Sequence, residues 1–167
     1  MVQDLNQIKE KAAAAITFSD KTYLLICGGT GCHATGSIPV KEALEKELID
    51  KGLDKDVKVV ETGCNGFCAM GPIMVVQPDD TFYQKLCADD IPEFVEQHLI
   101  NKKPVERLLY KDPVTKKIIP CQNDIPFFSF QMPRALRNKG LINPEAIDDY
   151  IARDGYFGAG QALIEMW

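Results

Sequence analysis

Two pairs of cysteines, each placed among glycines, constrain this sequence more than any other feature. Cys27 and Cys32 are separated by four residues, Cys64 and Cys68 by three, and 31 residues lie between the two pairs. Each pair follows an apolar segment that predicts a buried β-strand. In a βα fold the loops after such strands lie at one edge of the sheet, so we expect the four thiols to converge there.

The chemistry of four converging thiolates points to an iron–sulfur cluster. A 2Fe–2S cluster takes four thiolate ligands. With these ligands it is a net dianion and needs hydrogen-bond donors around it, and glycine lets the backbone fold tightly and aim N–H groups at sulfur. The glycines that bracket the cysteines are Gly28, Gly29, Gly31, Gly36, Gly63, Gly66 and Gly71. Their N–H groups would also tune the reduction potential of the cluster.

Other uses of the cysteines have to be weighed against this one. A structural zinc site also takes four cysteines, usually at tighter C-x2-C spacing, and stays open as an alternative. Disulfides are disfavoured if the chain is cytosolic, since cytosolic thiols are usually reduced. The sequence has no C-x-x-C redox pair, no plant-type C-x4-C-x2-C run and no histidines placed as Rieske ligands.

The predicted elements follow the order helix–strand–helix–strand–strand–strand–helix, which favours an α/β, thioredoxin-like fold: a small sheet with flanking helices. We expect helices at residues 4–18 (with Leu5, Ile8, Ala12, Ala15 and Ile16 on one face), 37–51 and 89–100, strands at 22–27 and 57–62, and a hairpin over 73–86. The predicted organisation is an N-terminal helix in 1–19, a thioredoxin-like domain that carries the four cysteines in 20–103, an extended connector in 104–138 and a helical segment in 139–167.

Smaller signals refine these elements. Ser37 is expected to cap its helix and Gly52 to end it, with GGTGCHATG as a loop before it. Asn143-Pro144-Glu145 predicts the start of a short helix through Tyr150 and Ile151.

Composition excludes several classes of protein. The chain is 46% hydrophobic and 26% charged, which is typical of a globular protein. Its net charge of −5, without a basic block, argues against nucleic acid as a partner. The N-terminus has no apolar signal core, and the apolar runs are too short to span a membrane, so we expect a cytoplasmic protein with no membrane partner.

The motifs CGGTGCHATG and TGCNGFCAMGPIMVVQPDDTFY resemble the thioredoxin-like 2Fe–2S ferredoxin family over about residues 20–103. This family includes the small iron–sulfur subunit of respiratory complex I and domains of NAD-linked hydrogenases. The resemblance implies that Cys27, Cys32, Cys64 and Cys68 are the cluster ligands, and all four positions are filled.

A second resemblance begins later in the chain. RALRNKGLINPEAIDDYIARDGYFGAGQAL is similar to the opening segment of the flavin- and NADH-binding subunit of complex I and its relatives. A ferredoxin domain, a connector and this segment occur in that order in the NADH-oxidising subunit of NAD-dependent or electron-bifurcating iron hydrogenases and related formate dehydrogenases. The resemblance implies a longer subunit, in which the FMN and NADH sites and further Fe–S clusters lie beyond residue 167, and other subunits of a redox complex as partners.

Two alternatives to an NAD-linked electron relay stay open on the sequence. One is a free-standing 2Fe–2S ferredoxin carrier, and the other is a zinc-stabilised interaction domain. The segment after residue 139 argues against the free carrier, which has no need of it.

The connector has an unusual composition for a linker. It contains five prolines, which stiffen a chain, and more apolar residues than a free linker carries. We expect it to cross away from the ferredoxin domain and to lie along a flavin domain or a partner subunit, leaving the ferredoxin domain tethered but able to shift. The apolar residues on which this expectation rests are Leu108, Leu109, Tyr110, Ile118, Ile119, Phe127, Phe128 and Phe130.

Several further residues are candidates for a functional role but have simpler interpretations. Cys87 is interpreted as a buried or capping residue rather than a reactive thiol, and Cys121 as structural or incidental. His33, beside Cys32, is expected to face solvent rather than tune the cluster, and His98 to be a core histidine with a hydrogen-bond partner. Met70 and Met74 are expected to pack over the cysteine site.

Overall fold

The structure, a computed structural model, describes residues 4, 6–11, 18 and 21–165. Residues 6–11 are helical (α1), in agreement with part of the helix predicted for 4–18. Of the apolar residues predicted on its inner face, Ile8 is described, whereas Leu5, Ala12, Ala15 and Ile16 lie outside the described residues.

A mixed four-stranded sheet forms the centre of the fold. Its strands are β1 (Thr22–Cys27), β2 (Val57–Thr62), β3 (Met74–Gln77) and β4 (Thr81–Tyr83). They lie in the order β2-β1-β3-β4, with β1 parallel to β2 and antiparallel to β3, and β4 antiparallel to β3. The two predicted strands and the predicted hairpin are therefore confirmed.

Two helices follow β1: α2 (Thr30–Ala34) and α3 (Ser37–Asp50). The expectation that GGTGCHATG is entirely a loop was wrong, because α2 lies within it. The capping role expected of Ser37 was also wrong: Gly36, in the left-handed conformation at φ 105°, precedes the helix without a side-chain cap. Gly52 has φ 68°, as expected for a left-handed stop after the helix.

The helix predicted for 89–100 is present with three successive geometries. A 3₁₀ turn (Ala88–Asp90) leads into α4 (Ile91–Phe94) and then into a π-helical segment (Val95–Ile100). Ile91, Phe94, Val95 and Leu99 are buried, as expected for its inner face.

Side chains alternate between the two faces of the central sheet along each strand, and both faces are buried. One face packs against α3, α4 and the π-helical segment, and it includes Leu24, Ile26, Met74, Val76 and Tyr83. The other face carries Tyr23, Leu25, Cys27, Ile73, Val75 and Phe82.

The connector covers that second face, so the expectation that it crosses away from the ferredoxin domain was wrong. Tyr110 and Ile125 are buried with the second face, and Phe127 and Phe128 pack against it. Isolated bridges join Thr81 to Cys121 and Tyr83 to Leu109 along the edge strand β4. The physical reason is that β4 would otherwise have an unpaired edge and the second face of the sheet would expose apolar side chains. The connector pairs with the edge and covers the face.

Within the connector the chain forms short elements. They are 3₁₀ turns at Glu106–Leu108 and Gln122–Asp124, the two-stranded sheet of β5 (Tyr110–Lys111) and β6 (Ile118–Ile119), and α5 (Pro126–Ser129). Of the three connector phenylalanines, Phe130 alone is fully exposed.

The last part of the chain contains α6 (Ile147–Ala152) and α7 (Phe157–Glu165). The predicted helix after Asn143 begins later than expected, because the Asn143 side chain first closes a turn by accepting the N–H of Glu145 at 2.9 Å. The domain boundaries themselves stay a prediction. No helix in the described residues is both long and apolar enough to cross a membrane.

Candidate iron–sulfur site

The first cysteine pair lies in the core at the end of β1. Cys27 is the last residue of the strand, and its N–H donates to Ile73 O at 3.0 Å. Cys32 lies in α2, and both side chains are buried. Burial, together with the neighbouring Cys27 thiol, raises the pKa of Cys32 to about 12.

The second cysteine pair is exposed. Cys64 follows β2, and Cys68 begins a 3₁₀ turn that runs to Met70. The N–H of Gly66 donates to Sγ of Cys64 at 3.3 Å, which is the type of donor expected around a thiolate. The adjacent Cys64 thiol raises the pKa of Cys68.

Glycines bring the two cysteine loops into contact. A Cβ on Gly29 would lie 2.9 Å from Sγ of Cys64, and a Cβ on Gly31 would lie 3.1 Å from Sγ of Cys68. Both glycines belong to the first loop, while both sulfurs belong to the second. The structure thus confirms that the two loops converge at one edge of the sheet.

Gly71 makes the reverse contact, since a Cβ there would lie 2.9 Å from Sγ of Cys32. Gly36 and Gly63, also named from the sequence, have open space where a Cβ would be. Close approach to sulfur therefore explains Gly29, Gly31 and Gly71, whereas Gly36 has a conformational role at its helix start.

The arrangement of the thiols fits a 2Fe–2S cluster. They form two neighbouring pairs, because the side chains of Cys27 and Cys32 interact with each other and so do those of Cys64 and Cys68. A 2Fe–2S cluster has two irons and takes two ligands at each. Two thiol pairs, with glycine backbone packed against their sulfurs, match that requirement.

His33 lies beside the site but is engaged elsewhere. Its Nε2 is 2.9 Å from Oε1 of Glu61, and Nζ of Lys41 donates to Oε2 of the same carboxylate at 2.8 Å. The Lys41 hydrogen bond is the main cause that lowers the pKa of Glu61. The histidine is about one-third exposed, so the expectation of a simple solvated loop residue was incomplete.

The remaining candidates have structural roles. Cys87 and Asp90 form a capping box, and the hydrogen bond from the thiol to that carboxylate raises the pKa of Cys87. The Cys121 thiol donates to Oδ2 of Asp80 at 2.9 Å, which helps to hold the connector on the β3–β4 turn. His98 is a core histidine with a hydrogen-bond partner, as expected.

The two methionines behave differently. Met70 packs against the core cluster that contains Cys27 and Cys32, so the expected apolar cover is confirmed for this residue. Met74 lies in the core on the opposite face of the sheet, because side chains alternate along β3. The expectation for Met74 was therefore wrong.

Residues around the loop between Cys64 and Cys68 were missed by sequence reasoning. Phe67 stacks on Phe127 of the connector, with ring centroids 4.3 Å apart and an interplanar angle of 5°. Asn65 is buried, and Lys139 lies against the loop. The sequence shows that the connector is rich in aromatic residues. It does not show which surface they cover, because these contacts join residues far apart in the chain.

Comparison with known proteins identifies the class to which this fold and site belong. The sequence matches the thioredoxin-like 2Fe–2S ferredoxin family over residues 16–99, and the chain belongs to this family. The thioredoxin-like fold expected from the sequence is thereby confirmed, as is a 2Fe–2S cluster as the cofactor.

Individual relatives agree with this classification. A 2Fe–2S ferredoxin of Clostridium pasteurianum is 40% identical over 77 residues, which cover 46% of this chain and 76% of the relative. A 2Fe–2S ferredoxin of Aquifex aeolicus (strain VF5) is 40% identical over 79 residues, covering 47% and 71%. The crystal structure of the thioredoxin-like 2Fe–2S ferredoxin from Aquifex aeolicus superposes with a TM-score of 0.50 at 31% identity, covering 56% of this chain and all of that one.

The residues up to about 99 are thus an electron-carrier domain of the ferredoxin type. A bound 2Fe–2S cluster supplies one-electron chemistry. The protein's own contribution is the thiol set, the glycine N–H groups near sulfur and a buried inner side, because hydrogen bonding and solvent exposure set the reduction potential.

Proposed function

We propose that Cys27, Cys32, Cys64 and Cys68 hold the 2Fe–2S cluster and that this domain relays electrons within an NAD(H)-linked flavoenzyme complex of the hydrogenase type. The convergence of the two cysteine loops supports the ligand assignment. Cys87 and Cys121 are both engaged by aspartates, which argues against either as a ligand.

The observation that carries the wider role is the packing of residues after 103 on the ferredoxin domain. The family match ends at residue 99, yet Val105, Leu108, Tyr110 and Ile125 are buried in the two core clusters of the sheet. The chain continues from this layer into α6 and α7. An attached relay requires an extension that is joined this closely to the cluster domain, whereas a minimal carrier does not require one.

The chemistry of such a complex explains why a relay is needed. NADH delivers a hydride, which carries two electrons, whereas a 2Fe–2S centre accepts one at a time. A flavin accepts the pair and releases single electrons. The proposal places the FMN, the NADH site and any further clusters outside residues 1–167, and the partners are the other subunits of the complex.

A free-standing carrier is the second candidate, favoured by the two relatives, both of which are ferredoxins. The zinc-stabilised domain is no longer an alternative, because the family has a 2Fe–2S cofactor.

The attached relay and the free-standing carrier can be distinguished with native protein that is isolated anaerobically from its source with an antibody against this chain. The attached relay predicts bound FMN, and bleaching of the 2Fe–2S absorbance on addition of NADH. The 167-residue chain alone, loaded with its cluster, is the matched control and should be bleached by dithionite but not by NADH. Native protein that contains the cluster but no flavin, and that NADH does not reduce, would establish the free carrier instead. Reduction of the isolated chain by NADH would also contradict the proposal.

A further inference from the structure

The loop that carries the second cysteine pair is covered by residues from later in the chain. Phe127 stacks on Phe67 in this loop. A Cβ on Gly140 would lie 1.7 Å from Oδ1 of Asn65, so the Gly140 backbone rests directly on that buried side chain. These two contacts place Phe127 and Gly140 against the cysteine loop.

Between these contacts the cover places a cation beside the site. Nζ of Lys139 lies 3.3 Å from the position that a Cβ on Gly66 would take, and the N–H of Gly66 donates to Sγ of Cys64 at 3.3 Å. The ammonium group therefore lies next to Gly66, whose N–H is hydrogen-bonded to the Cys64 sulfur. It is held there by a hydrogen bond to Oε1 of Gln131 at 3.4 Å, and the residue is half-buried.

The cavity that Lys139 lines also includes the carboxylate of Asp80, which accepts hydrogen bonds from Cys121 and Asn123. In the part of the chain that the structure describes, no carboxylate forms an ion pair with this ammonium group. Lys41, on the other side of the site, differs in this respect, because Glu61 lies 2.8 Å from its Nζ and neutralises it.

We propose that Lys139 raises the reduction potential of the 2Fe–2S cluster and so favours its reduced form. Reduction by an external one-electron donor adds one negative charge to the cluster. A fixed cation nearby stabilises the product more than the reactant, and the half-buried position limits screening by solvent. This role goes beyond the proposed link to NAD(H) and holds for a free carrier as well. It rests on the assignment of Cys64 as a ligand.

The test is a redox titration of the cluster-loaded chain with dithionite and mediators, followed by electron paramagnetic resonance. Lys139→Gln removes the charge, and at a fixed potential the ratio of reduced to oxidised cluster should fall by roughly ten- to thirtyfold, the size expected for a unit charge about 8 to 12 Å away at an effective dielectric constant of about 20. Lys139→Arg keeps the charge and should stay close to wild type. Lys55→Gln is the matched control: Lys55 precedes β2 at the end of the sheet opposite Cys64, and its variant should leave the ratio unchanged.

The outcomes separate an electrostatic role from a structural one. Equal shifts in Lys139→Gln and Lys139→Arg would show that the packing matters and not the charge, and would overturn the proposal. No shift in Lys139→Gln would also overturn it. Iron and sulfide are measured in each variant, and a Cys64→Ala variant that keeps its full iron content would refute the premise separately.

Discussion

At the scale of single residues, the four cysteines differ in how far they lie from solvent. Cys27 and Cys32 are buried behind the sheet edge, whereas Cys64 and Cys68 are exposed. A donor or acceptor can therefore approach the site from the side of the second pair. Phe127, Lys139 and Gly140 contact the loop of this second pair, so they lie on the side of the site that is open to solvent.

Replacement of the ligands one at a time tests the assignment of the site. Anaerobically purified protein should contain about two iron and two acid-labile sulfide per chain and, when reduced, give the resonance signal of a one-electron centre. Changing Cys27, Cys32, Cys64 or Cys68 to Ala should remove the cluster and loosen the fold, because metal ligation contributes to folding.

Cys87→Ala and Cys121→Ala serve as controls and should keep the colour, since both thiols donate hydrogen bonds to aspartates instead. If Cys121→Ala bleached the protein while Cys68→Ala did not, the ligand assignment would be wrong.

At the scale of elements, one buried hydrogen-bond chain joins β4, the π-helical segment and the start of the connector. The N–H of Val105 donates to the Tyr83 hydroxyl at 3.1 Å, and that hydroxyl lies 2.6 Å from Nδ1 of His98. The Tyr83 hydroxyl thus joins the connector backbone to the buried ring of His98.

This chain predicts a pH dependence of stability. Burial lowers the pKa of His98, and Lys102 lowers it further against the opposing effect of Asp79. Because the folded pKa lies below the unfolded value of about 6.5, the contribution is complete above that pH and is lost as the pH falls. The free energy of unfolding, measured by denaturant titration between pH 7.5 and 5.5, should fall by up to about 1 kcal/mol.

His98→Gln should flatten this dependence, and His33→Gln, the matched control on the surface, should leave it in place. An unchanged slope in His98→Gln would show that another group titrates in this range.

At the scale of the whole molecule, the connector is a structural layer of the ferredoxin domain. The first face of the sheet is covered by helices from within the family match, but the second face is covered largely by residues beyond it. The domain and its extension therefore share one core, and the tethered domain able to shift, expected from the sequence, does not agree with this packing.

Truncation tests how much this layer contributes. A chain that ends after Lys103 should be at least about 2 kcal/mol less stable than the full chain, because burial of one large apolar side chain contributes about 1.5–3 kcal/mol and several are removed. A chain that ends after Gln131 keeps Tyr110, Ile125, Phe127 and Phe128 and should retain most of the stability. Denaturant unfolding of the cluster-loaded proteins measures both, and equal stabilities would show that the layer is dispensable.

The sequence by itself determined the local elements of this protein and the four thiols that are proposed as ligands. Strand β1 is apolar and ends at a cysteine, and the hairpin of β3 and β4 has its turn residues in place; these signals act between near neighbours, so composition and spacing reveal them. The convergence of the two cysteine loops followed from a general rule about strand ends.

Only the tertiary structure decided which surfaces meet. The stacking of Phe127 on Phe67, the contact of Gly140 with Asn65 and the place of Lys139 beside the second cysteine loop join residues about 60 to 75 positions apart. Aromatic or glycine residues in a connector carry no local signal of their partner. The surface that such residues cover depends on which face and edge of the sheet the rest of the fold leaves open. Here these were the edge of β4 and the second face of the sheet.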